Sequence, residues 1–184
     1  WTLSIAKLAS DPGPQRLLEA AGGSFEPDTI VALEEVAGSH MEDPFYPSLL
    51  GAMYARGRYF EEALLQYRRS TEISPADPRP VNSIGNLYFK VGRYGEAAQE
   101  YRRAIEIDKT FLPPYVNLYL ARQAMFNFTD ANAALDQGRA IDEEGIRTLL
   151  EGSKSETRSQ EPIDSTLTSS EVWNRILATR AAAA

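Results

Sequence analysis

The sequence predicts an all-α chain built as a solenoid of antiparallel helix pairs, and three observations predict it. The first is a constant step of 34 residues: Gly51 and Gly85, Tyr54 and Tyr88, Ala63 and Ala97, Tyr67 and Tyr101, and Ile73 and Ile107 are all that far apart. The second is that apolar residues recur at helical spacing in two runs per step, as Ile84, Tyr88 and Val91, then Ala97, Tyr101, Ala104 and Ile105. The third is the punctuation between runs: Asp43-Pro44 and Asp77-Pro78 open units, and Gly92 separates the two runs of the middle one. A fixed period of this length marks a repeat architecture, in which a unit cannot bury its apolar face alone and stacks on its neighbours.

The elements follow in order. Residues 1–43 read as an N-terminal segment with a degenerate unit: Trp1, Leu3, Ile5 and Leu8 are apolar, Asp11-Pro12 echoes Asp43-Pro44, and helices are expected over 14–21 and 27–37 around the Gly22-Gly23 break. Three clear units occupy 44–145, as 44–77, 78–111 and 112–145. In the middle unit Asp77 caps a first helix that begins with Pro78, and a second helix begins near Tyr94. Neither run exceeds about 15 residues, the length below which an isolated helix is marginal in water. Gly51, Gly85, Ala63, Ala97 and Ala131 are small so that helices approach closely, with Tyr67 and Tyr101 filling the space beside them. The third unit has Tyr119 in place of the glycine and Gly138 in place of Ala104, which reads as a large-for-small exchange across a packed pair. Residues 146–151 complete a capping helix that starts at the acidic run Asp142-Glu143-Glu144 and covers the last unit with Ile146, Leu149 and Leu150. Residues 152–168, rich in Ser, Thr and charged groups, read as a flexible linker. Residues 169–184 read as an amphipathic helix with Val172, Trp173, Ile176 and Leu177 on one face, a candidate assembly surface.

The chain resembles the tetratricopeptide repeat family. The middle unit carries the pattern most fully, as Ile84-Gly85, Tyr88, Gly92, Tyr94, Ala97, Tyr101 and Ala104. The first carries Leu50-Gly51, Tyr54, Phe60, Ala63, Tyr67 and Pro75; the third is weaker, with Leu118, Phe128, Ala131 and Leu135. The resemblance implies a right-handed superhelical solenoid whose first helices line a concave groove, where partner proteins bind as peptides or helices. It places Arg56, Arg79, Asn82, Asn86, Phe89, Lys90, Asn117 and Gln123 in that groove. Amides suit a peptide backbone, and the three cations suit an acidic segment or a carboxylate. Asn86 and Asn117 stand where some family members clamp a terminal carboxylate, but Asn82 occupies the place of an accompanying lysine, which argues against binding of that kind.

Composition narrows the function. Hydrophobic residues make up 43% and the formal net charge is −7, so nucleic acid is not the expected partner. There is no cysteine and only one histidine, His40, which excludes thiolate and histidine-rich metal sites. No cofactor is expected, and no nucleophile–base arrangement or phosphate-cradling glycine loop points to an enzyme. The Arg68-Arg69 and Arg102-Arg103 pairs lie a helical turn from glutamates and read as solvated ion pairs. No apolar run approaches the roughly 20 residues that span a bilayer. Cytoplasmic and exported locations both fit, and the start at Trp1 leaves room for an upstream signal or anchor. Two function classes follow: an interaction module that holds a partner peptide or helix in the groove, and a self-associating scaffold, or subunit of a larger or tethered complex, that uses the terminal apolar segments.

Overall fold

The computed structural model describes residues 34, 38 and 42–155. Among them are seven helices and no strand: α1 Phe45–Arg56, α2 Phe60–Ile73, α3 Pro78–Lys90, α4 Tyr94–Ile107, α5 Pro113–Ala124, α6 Phe128–Ile141 and α7 Glu143–Ser155. In chain order they follow the helical runs read from the sequence over 44–151. Glu34 and Gly38 are helical. The rest of the degenerate unit, His40, most of the linker and the Trp173 helix lie outside the described residues. The chain forms two compact units, divided within α2 after Gln66.

In the first unit, α1 buries Tyr46, Leu49, Leu50, Ala52 and Met53. The chain leaves α1 through Arg58, in the left-handed region at φ 64°. Tyr59 N–H then donates to the Tyr54 carbonyl at 2.9 Å. The Tyr54 hydroxyl donates to the Glu34 carboxylate.

In the second unit the helices pack in sequence, α3 on α4, α4 on α5, α5 on α6, and α7 on both α6 and α5. Local chemistry sets each start. The Asp77 carboxylate accepts from Arg79 N–H at 2.9 Å and caps α3, whose first positions are prolines that have no N–H to satisfy. The Asn127 side chain caps α6 by accepting from Asp130 N–H at 3.3 Å, while its amide donates back to the Asp130 carboxylate at 2.8 Å. Asp142 accepts from Gly145 N–H at 2.9 Å at the start of α7. Gly92 ends the first helix of its unit at φ 80°, a conformation costly for residues with a Cβ.

The core forms where small residues of one helix meet aromatics of the next. A Cβ on Gly85 would lie 2.7 Å from Cδ1 of the fully buried Tyr101, so the glycine is required for the close approach of α3 and α4. One step on, the same two places hold Tyr119 and Leu135. The bulk has moved from the second helix to the first. Both belong to the cluster formed with Tyr115, Val116, Leu120 and Ile146. The expected exchange therefore pairs Tyr119 with Leu135. Gly138 serves a different contact: its missing side chain admits Ile146, whose Cδ1 would lie 2.7 Å from a Cβ there. That contact seats α7, and Ile146 is fully buried by it. The capping helix also runs to Ser155, so the first four residues of the expected linker are helical.

Candidate partner-binding site

The first helices of the second and third repeats bring most of the candidate groove residues together. On α3, Arg79, Asn82, Asn86 and Lys90 fall three to four residues apart and so share one face. Asn117 comes from α5, one repeat on. Its amide nitrogen donates to Asn82 Oδ1 at 2.9 Å and to Asn86 Oδ1 at 3.2 Å. Asn86 Oδ1 also accepts from the Tyr101 hydroxyl at 2.9 Å. The sequence places these amides on a polar surface; the structure places them inside. Asn82 and Asn117 are 0% exposed and Asn86 is 6% exposed. The physical reason is reciprocal. A buried amide needs partners, and each of these side chains supplies one to its neighbour. Burial of the Tyr101 phenol also holds its pKa well above the ordinary value. The network therefore ties α3, α4 and α5 to one another.

The other candidates remain accessible in part. The Arg79 side chain is 45% exposed and lies in a bidentate pair with Asp77, Nη2 to Oδ2 at 2.9 Å and Nε to Oδ1 at 3.0 Å. Much of its charge is thereby compensated on its own helix. Lys90 is exposed at the end of α3. Phe89 is half-buried, edge-on to Tyr94 with ring centroids 5.1 Å apart. Gln123 is half-buried and donates from Nε2 to the Tyr119 hydroxyl at 2.6 Å. Arg56 is exposed in the last turn of α1, in the first unit. Val172, Trp173, Ile176 and Leu177 lie outside the described residues.

Two surface features were not singled out by the sequence reasoning. The α5–α6 turn holds Phe126 at φ 59°, 82% exposed, against Phe128, 56% exposed, with ring centroids 6.5 Å apart. The signal was present, because Phe126 is one step from Gly92 and so falls where the turn demands a left-handed residue. The other is a slot of about 290 Å³ between α4 and α6, with Leu118 and Ala134 among its apolar lining. Nothing in the 34-residue pattern marks it, since it exists only between successive repeats. Among the described residues, no three His, Asp or Glu side chains come together to hold a metal, and no helix is long and apolar enough to cross a membrane. Arg68, Arg102 and Arg103 are exposed and Arg69 is half-buried; Arg103 pairs with Glu100 at 3.5 Å.

In the second unit the described helices form a stack that presents side chains on its surface, the architecture of a helical repeat. Residues 85–123 match the model of the TPR repeat. The resemblance read from the 34-residue step therefore holds. No curated protein matches the chain. Solved structures do. The crystal structure of MamA protein is 17% identical, with 77% of this chain and 80% of that one aligned at a TM-score of 0.62. The MamA RS-1 ArsTM double mutant is 18% identical over 98% of both chains, also at a TM-score of 0.62. MamA MSR-1 C2 is 14% identical, over 79% of this chain and 82% of that one, at a TM-score of 0.59. At these identities the likeness establishes the tetratricopeptide-type fold.

Proposed function

We propose that this chain is a docking module that holds an acidic segment of a partner protein, extended or helical, along the first helices of its repeats. The observation that carries the proposal is the Asn82–Asn117–Asn86–Tyr101 network. It fixes α3 and α5 relative to each other before any partner arrives. Preorganisation of this kind lowers the ordering cost of binding. The asparagines act as the frame of the surface. Contact falls to the accessible groups on the same helices, with Phe89 as an apolar anchor, Lys90 and Arg79 as cations and Gln123 as an amide. An acidic segment is favoured because Lys90 meets a carboxylate directly, whereas a basic one is repelled.

The test is photo-crosslinking in cell extract, with a benzophenone amino acid at Phe89 and, as control, at the exposed Arg68 of α2. A partner captured from Phe89 and not from Arg68, and lost when Lys90→Glu and Arg79→Glu are combined, supports the reading. Capture that is indifferent to charge reversal, or equal from both positions, refutes it.

A further inference from the structure

Given the groove reading above, on which this rests, we propose that the groove along α3 and α5 is filled in the free protein by the chain's own acidic stretch, residues 156–166, which leaves the end of α7. The first helices are buried too deeply for an open groove. Residues 80–87 of α3, eight in a row, are all buried. On a helix of 3.6 residues per turn such a run takes in every direction round the axis. The second helix of the same repeat is buried along one side, at Ala97, Ala98, Tyr101 and Ala104. Within the second unit α5 packs on α4 and α6, the second helices behind it, and on α3 and α7, the first helices at its flanks. The remaining side is the groove, where Asn117 meets Asn82 and Asn86. Hydrogen bonds along a groove floor do not close it from above, yet Asn82 and Asn117 keep no exposure. That depth requires a cover.

Charge and tether select the cover. The helices α3 and α5 contain no Asp or Glu. Their charged groups are Arg79, Lys90 and Arg122, all cations in a chain of net charge −7. Residues 156–166 lie outside the described residues and enter from sequence alone. They carry Glu156, Glu161 and Asp164 against one cation, Arg158. The residues that follow turn basic, with Arg175 and Arg180 against Glu171. Pro162 biases Glu161 toward extended backbone, which offers its N–H and C=O groups to side-chain amides. Ile163 supplies an apolar side chain for the half-buried Phe89. The tether is long enough. The helices α3, α5 and α7 run in the same direction, each antiparallel to the helix between, so α7 ends at Ser155 on the side of the stack where α3 ends at Lys90. Two interhelical spacings of about 8–10 Å separate those ends, and eleven extended residues span up to about 36–40 Å. A partner binds by displacing this stretch, which lowers its apparent affinity below that of the open groove.

The chain has no cysteine, so a pair introduced into the full chain gives an unambiguous disulfide. Ile163→Cys is combined with Ala124→Cys, one step on from Lys90 in the last turn of α5, or, as control, with Ala133→Cys, exposed on α6. Unchanged far-UV circular dichroism shows that each variant folds, and Lys90→Cys, at an exposed position, takes the place of Ala124→Cys if that variant unfolds. Oxidation is followed at low protein concentration by non-reducing electrophoresis. The within-chain disulfide is expected to form at least about tenfold faster from Ala124→Cys than from Ala133→Cys, because a docked segment has the higher effective concentration. Adding Glu161→Lys and Asp164→Lys is expected to abolish the difference. Equal rates from the two positions overturn the proposal. So does a disulfide that joins two molecules, which places a second copy in the groove, and so does a difference that survives the charge reversal. The disulfide needs no partner molecule, so its failure and a failed capture from Phe89 are separate results.

Discussion

Replacing Asn117 by alanine tests whether the amides of the candidate groove are frame or contact. The side chain is fully buried, and its amide bonds two acceptors, Asn82 Oδ1 at 2.9 Å and Asn86 Oδ1 at 3.2 Å. Each such bond contributes about 1 kcal/mol net, and a buried acceptor that loses its donor costs about 1–3 kcal/mol. Asn86 Oδ1 keeps the Tyr101 hydroxyl as a donor. The expected loss is about 2–4 kcal/mol, a large part of the 5–15 kcal/mol that holds a typical domain together. For a chain of this size that corresponds to a fall in Tm of roughly 5–12 °C. Tyr101→Phe removes one neutral bond and is expected to cost only about 0.5–1.5 kcal/mol. Urea unfolding followed by circular dichroism measures both, with the midpoint and slope fitted together. A transition that splits in two places the α3–α5 link at the weakest joint of the array. If Asn117→Ala stays within about 0.5 kcal/mol of the parent, the amide behaves as a surface group. The frame argument then fails, and Asn117 returns to the list of partner contacts.

Gly85→Ala is expected to destabilise by about 1–2 kcal/mol in the same urea assay, because overpacking against the Tyr101 ring outweighs the gain in helix propensity. Adding Tyr101→Leu, which imitates the Tyr119 and Leu135 pair one repeat on, is expected to restore most of the loss; no recovery refutes the exchange. Phe126→Gly is expected to raise stability by about 1 kcal/mol, since it relieves a left-handed φ of 59° at a side chain that buries little. A lower Tm on calorimetry shows instead that the Phe126–Phe128 contact stabilises the turn. The Tyr54 phenol is pushed up to about 12, first by burial and then by its hydrogen bond to Glu34. Its neutral form is the native one, so this contribution is complete below the ordinary value of 10.0 and is lost as pH rises through about 12. Burial also raises the Tyr101 and Tyr115 phenols, so Tyr54→Phe is expected to remove one component of the late phenolate absorbance, and Glu34→Gln to move that component down.

The division between sequence and structure falls along the range of the interactions. The helix start at Asp77-Pro78, matched by Asp43-Pro44, and the pairing of Gly85 with Tyr101, matched in residue type by Gly51 and Tyr67, recur with the 34-residue step because they arise within a repeat. A period in residue type is a direct record of such contacts. The amino-acid sequence also determined that no thiol is available and that His40 is the one imidazole. It did not determine which side of α3 faces water. Asn82 and Asn86 share a helical face by spacing alone, but Asn117 meets them only through the packing of α5 beside α3. The slot lined by Leu118 and Ala134 likewise needs three helices in place before it exists. Local order sets what each helix is and where it ends. Burial, and with it the difference between a binding group and a supporting one, depends on how neighbouring helices stack, which only the tertiary structure decides.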